Sequence, residues 1–87
     1  MNIAILSAAD VSSWYAATLM DRGHKITIGP FGHVSTAVAS MIEDGIEGVL
    51  ILTDDDENLE EIAARFTKTT GRPIWRNLTE IPREPRP

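Results

Sequence analysis

Cysteine is absent from all 87 residues. That removes a disulfide framework, a thiolate nucleophile and any cysteine-based zinc site. Aromatic side chains are scarce at 6%, with two tryptophans, two phenylalanines and one tyrosine, so each one is a marked position. No apolar run approaches the roughly 20 residues that a membrane-spanning helix needs. The opening MNIAIL lacks the basic stretch of a secretory signal and reads as a first strand. Neither GxGxxG nor a Walker loop occurs, and HExxH and GxSxG are missing as well. The dinucleotide, NTPase, zinc-protease and serine-hydrolase readings therefore have no support. These absences predict a cytoplasmic protein that needs no redox cofactor.

Basic charge is also in short supply over most of the chain. Residues 1–64 carry Arg22 and Lys25 against eleven acids, a balance of −9, whereas residues 65–87 carry six basic residues against Glu80 and Glu84, a balance of +4. A nucleic-acid binder that tracks phosphates presents a basic face, so an acidic body argues against one. Neutral or cationic ligands, metal ions and basic protein surfaces fit such a body better.

What remains, 43% hydrophobic and 24% charged side chains, suits one small α/β domain. A chain of this length buries roughly 60 to 65% of the surface its unfolded form exposes, which is a thin core that a homodimer would thicken. Ile3-Ala4-Ile5-Leu6 and Val49-Leu50-Ile51-Leu52 are apolar runs too short for helices. They read as central strands covered on both faces of a parallel sheet. Lys25-Ile26-Thr27-Ile28 alternates, as an edge strand does, and Pro73-Ile74-Trp75 opens on a proline, which also suits an edge. Between them lie helical stripes. Leu59, Ile62, Ala63 and Phe66 stand at i, i+3, i+4 and i+7, with Asn58 and Glu61 spaced as a capping box. Val34, Val38, Met41 and Ile42 form a second stripe with Ser35 as its cap. Val11, Tyr15 and Leu19 form a weaker third after Asp10 or Ser12. Gly23, Gly45 and Gly71 stand where each helix must end and turn into the next strand. The expected order is βαβαβαβ, a small three-layer, flavodoxin-like parallel sheet of strand order 2-1-3-4 over residues 1–80. Residues 81–87, with three prolines, form an extended tail.

In such a sheet, ligands collect beyond the carboxyl ends of the strands where the strand order reverses, here between the first and third. Ser7-Ala8-Ala9-Asp10 and Thr53-Asp54-Asp55-Asp56-Glu57 arrive at that crevice, and Gly32-His33 follows the second strand to the same rim. Two readings of the acidic run are open. Asp54 and Asp56 facing Asp10 can hold a ligand or a hard cation such as magnesium, or the acids can simply cap a helix and oppose its dipole. Glu60 and Glu61 fall off the apolar stripe of the last helix, where a carboxylate can serve as nucleophile or base. Glu61 also stands four residues before Arg65, the spacing of an ordinary surface ion pair. Trp14 and Tyr15 are adjacent on the first helix. Tyr15 lies on the stripe, which leaves Trp14 nearer solvent, free to stack on a base or to bury itself in a second subunit. His33 is placed for a ligand but has no partner at metal-ligand spacing, while His24, directly before the second strand, is expected on the surface.

Three stretches, NIAILS, DRGHKITIGP and VLILTDDDENLEEIAARFTKTTGRPIW, together resemble the small nucleoside 2-deoxyribosyltransferase-like domains, many of them from phage and bacteria. The resemblance implies a nucleoside crevice in which Glu60 or Glu61 attacks the anomeric carbon. Asp54 or Asp56 would orient the substrate, and Trp14 or Tyr15 would stack on the base. The chain departs from that family in its first loop, which has Ser-Ala-Ala-Asp in place of a glycine–proline turn, and in its shorter length. A second, partial likeness is to response-regulator receivers, which place acids where Asp10 and Asp54 stand. The chain has neither the fifth strand of a receiver nor the lysine that follows it. Another class of function fits the charge: a non-enzymatic acidic interaction protein, such as a phage-type inhibitor that covers a basic host surface. A third reading is a shortened relative that keeps the fold and dimerises through Trp14 or the edge strand at Trp75.

Overall fold

The computed structural model describes residues 1–7, 12–28, 32–52 and 57–82. Its elements run β1 (Asn2–Leu6), α1 (Ser12–Asp21), β2 (Lys25–Ile28), α2 (Val34–Glu43), β3 (Gly48–Ile51), α3 (Glu57–Thr70), β4 (Ile74–Trp75) and a 3-10 turn (Leu78–Glu80). The four strands form one parallel sheet in the order β2-β1-β3-β4. Ile3 lies beside Ile26 on one flank and Gly48 on the other, and Leu50 pairs with Trp75. The α/β architecture and its strand order are those that the alternating hydrophobic periods predict, with the continuous apolar runs at the centre and the short strands at the edges.

Strand alternation divides the core in two. Ala4, Leu6, Val49 and Ile51 face Ala37, Val38 and Met41 of α2 and Leu59, Ile62, Ala63 and Phe66 of α3. Ile3, Ile5, Leu50 and Trp75 face Ala16 and Leu19 of α1, together with Ile81. Right-handed crossovers dictate this division, because the step from β1 to β2 runs opposite to the steps from β2 to β3 and from β3 to β4. One face thus has two helices, while the other has α1 and the segment after β4. That segment is held by a capping box in which the Asn77 side chain accepts from the Thr79 amide at 3.1 Å. In return the Glu80 carboxylate accepts from the amides of Asn77 and Arg76 at 3.1 and 2.6 Å. Ile81 is buried, so the core continues one residue beyond the expected boundary at residue 80. Residues 83–87 of the expected tail lie outside the described residues.

The helices end as anticipated. Gly23, Gly45 and Gly71 have φ of 93°, 72° and 73°, a region that costs other residues dearly. Their beginnings differ from expectation. Helix α3 starts at Glu57, which puts Asn58 inside the first turn, where its amide donates to the Gly32 carbonyl at 3.2 Å. The Asn-x-x-Glu spacing serves as a capping box at Asn77 and Glu80 instead, because only there does the backbone of the asparagine take an extended conformation. In α2 the cap position is His33, which makes no side-chain cap bond, and Ser35 falls in the first turn. Ser12 is already the first helical residue of α1. On the apolar stripes, Ala37 and Ala16 are buried while Ile42 is exposed, and Val11 lies outside the described residues.

His24 is the clearest correction. Expected on the surface, it is buried, because the turn at Gly23 carries the chain inward beneath the start of β1. There its Nδ1 lies 3.2 Å from the terminal amine of Met1. Burial is the main force that lowers its pKa, the terminal amine and Arg22 add to it, and a hydrogen bond with the Pro82 backbone opposes them.

Candidate functional site

The reversal of strand order between β1 and β3 marks their carboxyl ends as the place where open parallel sheets leave a crevice for ligands. The two strands stay paired to the rim, where the Leu52 amide donates to the Leu6 carbonyl at 3.0 Å. Ser7, half-buried, is the next residue on the β1 side. Asp10, Asp54 and Asp56 lie outside the described residues, as does Asp55. Among the described residues, no group of three histidine or acidic side chains is close enough to hold a metal ion.

Helices α2 and α3 begin on this rim, and the hydrogen bond from Asn58, in the first turn of α3, to the Gly32 carbonyl just before α2 ties their starts together. It brings His33, which is exposed, to the same side as Glu57 and Asn58. The link joins residues 26 positions apart, so sequence spacing carries no sign of it.

The two candidate glutamates separate cleanly. Glu61 is exposed and pairs with Arg65 at 3.4 Å, one turn along its own helix, the surface arrangement that their spacing implies. Glu60 points across to the end of β4, where its Oε1 accepts from Arg76 Nη2 at 2.8 Å. The hydrogen-bonded guanidinium holds the Glu60 carboxyl below the usual carboxylate range against a smaller upward push from partial burial. Its second oxygen, Oε2, is enclosed and has no hydrogen-bond partner among the described residues. Glu60 is therefore an ionised carboxylate with one oxygen engaged, but it faces β4, the neighbour of β3 on the side away from β1. Arg76 belongs to this rim and was missed in the sequence. The signal was available, since a residue directly after the last strand must emerge on the same edge as those after β1 and β3.

The aromatic pair sits on α1. Trp14 is 61% exposed, and Tyr15, half-buried, packs against the sheet side. Their rings meet edge to face, with centroids 4.9 Å apart and planes at 88°, an arrangement that holds the tryptophan in place. Trp75 is a different case, its indole buried in the core. At the opposite, amino end of the sheet, Asn2, Lys25, Thr27 and Asp44 line an open cavity of about 290 Å³.

Comparison with protein-family models, curated proteins and solved structures found no match. Among the described residues, no helix is long and apolar enough to cross a membrane.

Proposed function

We propose that this chain is a small-molecule binding domain whose crevice, between the carboxyl ends of β1 and β3, takes a nucleoside or nucleotide in the cytoplasm. The observation that carries this reading is the reversal of strand order at that point, the place where open parallel sheets leave room for ligands. The hydrogen bond from Asn58 to Gly32 supports it by gathering His33 and the first turn of α3 at the same rim. Ser7, Asp10, Asp54, Asp56 and His33 would bind the polar groups of the ligand, with magnesium as an optional companion to a phosphate.

Turnover in this reading is cleavage or transfer of an N-glycosidic bond. A Glu60 carboxylate oxygen attacks the anomeric carbon, a C–O bond forms as the C–N bond breaks, and the base departs with the electron pair and takes up a proton. Water or a second base then displaces the glutamate. Glu60 enters this reading as the carboxylate with one oxygen outside any hydrogen bond among the described residues, but that oxygen is enclosed on the β4 side, so the attack requires the side chain to leave Arg76 and turn toward β3. Glu61 is engaged on the helix surface.

One observation favours the alternative, an acidic protein that binds a basic partner. Glu43, Asp44, Glu47, Glu57 and Glu61 are all exposed, dispersed over the outside and not gathered into one pocket. Binding of that kind weakens steeply as salt is raised.

A two-dimensional amide NMR titration with nucleosides and nucleotides, with and without magnesium, tests the first reading. Saturable shifts at residues 7–13, 32–33 and 53–61 are expected. Silence at these amides with every ligand would refute it and leave the interaction reading. Loss of base release in Glu60→Gln, with Glu61→Gln unaffected, tests the chemistry separately from binding.

A further inference from the structure

Helix α1 differs from the other two. Its residues Ser12 to Met20 carry no charge, in a chain whose net charge is −5. The side turned away from the sheet is also apolar, since Trp14 and Met20 are each 61% exposed and Ala17 between them is exposed as well. The Thr18 hydroxyl, which could have made this side polar, donates to the Trp14 carbonyl at 3.0 Å. Asp21 is the one charged residue of α1, at the carboxyl end where the dipole of its own helix disfavours an acid, and the first turn has no acid at all.

From this pattern we infer that a second copy of the chain packs on α1, with the two α1 helices antiparallel about a two-fold axis through Ala17. The arrangement is self-complementary residue by residue. Positions 14, 17 and 20 lie on one side of the helix at successive intervals of three, and a two-fold axis at 17 exchanges 14 with 20 and 13 with 21. Trp14 then meets Met20 of the second copy, an aromatic–thioether contact, and the small Ala17 side chains let the helices approach. Asp21 falls beside Ser13 at the amino end of the other α1, where the helix dipole favours a carboxylate. Among the described residues of this face the pairing sets no acid opposite another acid, which suits a like-charged twin. Trp14, already braced edge-on by Tyr15, loses little freedom on docking. The outer side of α1 is thereby buried, which adds apolar area to the thin core of a chain this small.

The absence of native cysteine makes the test clean. Ala17→Cys places a thiol on the axis opposite its own mate, and Ala39→Cys, exposed on α2, serves as the control. Under mild oxidation Ala17→Cys is expected to form disulfide-linked dimers at least about tenfold faster than the control, because the held pair supplies its own high effective concentration. Sedimentation of the unmodified chain is expected to show mass rising with concentration toward twice 9.6 kDa. Trp14→Glu or Met20→Glu should return it to the monomer with unchanged circular dichroism. Equal crosslinking rates at positions 17 and 39 would overturn the inference, as would a monomer at every concentration, which would leave the α1 face to a different occupant.

Discussion

Gly48 is the position where the smallest change should do the greatest damage. It lies on β3 beside Ile3, and its Cα faces the buried indole of Trp75. A Cβ built there would fall inside van der Waals contact with Cη2 and Cζ3 of that ring and 3.1 Å from Cζ2. The ring cannot easily withdraw, because it shares the core with Leu50 and Ile81 and is only 6% exposed. Two outcomes bound the cost of Gly48→Ala. If the core yields around the ring, overpacking costs about 1–3 kcal/mol. If the indole is expelled, the loss approaches the roughly 3–5 kcal/mol of deleting a buried aromatic. Replacing a strand glycine returns about 0.5–1 kcal/mol of backbone entropy. A net destabilisation of about 0.5–4 kcal/mol follows, centred near about 2 kcal/mol, or roughly 8–16 °C in Tm for a domain of this size. The assay is urea unfolding followed by far-ultraviolet circular dichroism, repeated in a Trp75→Ala background. There the alanine has nothing to strike, and Gly48→Ala should be neutral or mildly stabilising. Equal cost in both backgrounds, or a cost below about 0.5 kcal/mol in the natural one, would refute the close approach of Gly48 and Trp75.

Three further outcomes are expected. Phe66→Ala removes a side chain with no exposed surface and should cost about 3–5 kcal/mol, a large part of the roughly 4–13 kcal/mol that such a domain has in all; Ala64→Ser, at an exposed position on the same helix, should be nearly silent when both are compared in a thermal melt. His24 has a lowered pKa in the fold, so the unfolded chain binds the proton more readily. Stability should be complete above about pH 6.5, the unfolded value, and decline as pH falls below it; urea midpoints measured across that range should lose this component in His24→Gln. Removing the guanidinium with Arg76→Ala should raise the Glu60 pKa toward the ordinary carboxylate value, read by carboxyl-carbon NMR. The pair is too exposed, at 53% and 32%, to contribute more than about 1 kcal/mol, and what it contributes is present above the ordinary carboxylate pKa and lost as pH falls through the lowered one.

Much of the fold was legible because it depends on local pattern. The stripe Leu59, Ile62, Ala63, Phe66 is buried throughout, and the three glycines after the helices all take positive φ. The strand edges and centre followed from the contrast between the alternating Lys25–Ile28 and the unbroken apolar runs. Caps were less legible, since Asn58 and Asn77 stand in nearly the same sequence, Asn-Leu-Glu-Glu against Asn-Leu-Thr-Glu. Nothing local tells which asparagine will precede its helix and which will lie within it. Burial of single polar residues was illegible for a related reason. His24 is enclosed by Met1 at one end of the chain and Pro82 at the other, neighbours that no short window contains.

The amino-acid order by itself determined the α/β class, the strand order, the central and edge strands and the helix ends. These follow from periodicity, from crossover handedness and from the freedom of glycine, all of which act over a few residues or obey one rule of chain geometry. Only the tertiary structure decided that Glu60 turns to Arg76 while Glu61 stays on the helix surface, that Asn58 bridges to Gly32, and that Gly48 must remain bare beneath Trp75. Each of these pairs residues 16 to 27 positions apart, and distance along the chain says nothing of which side chains a folded sheet brings within reach.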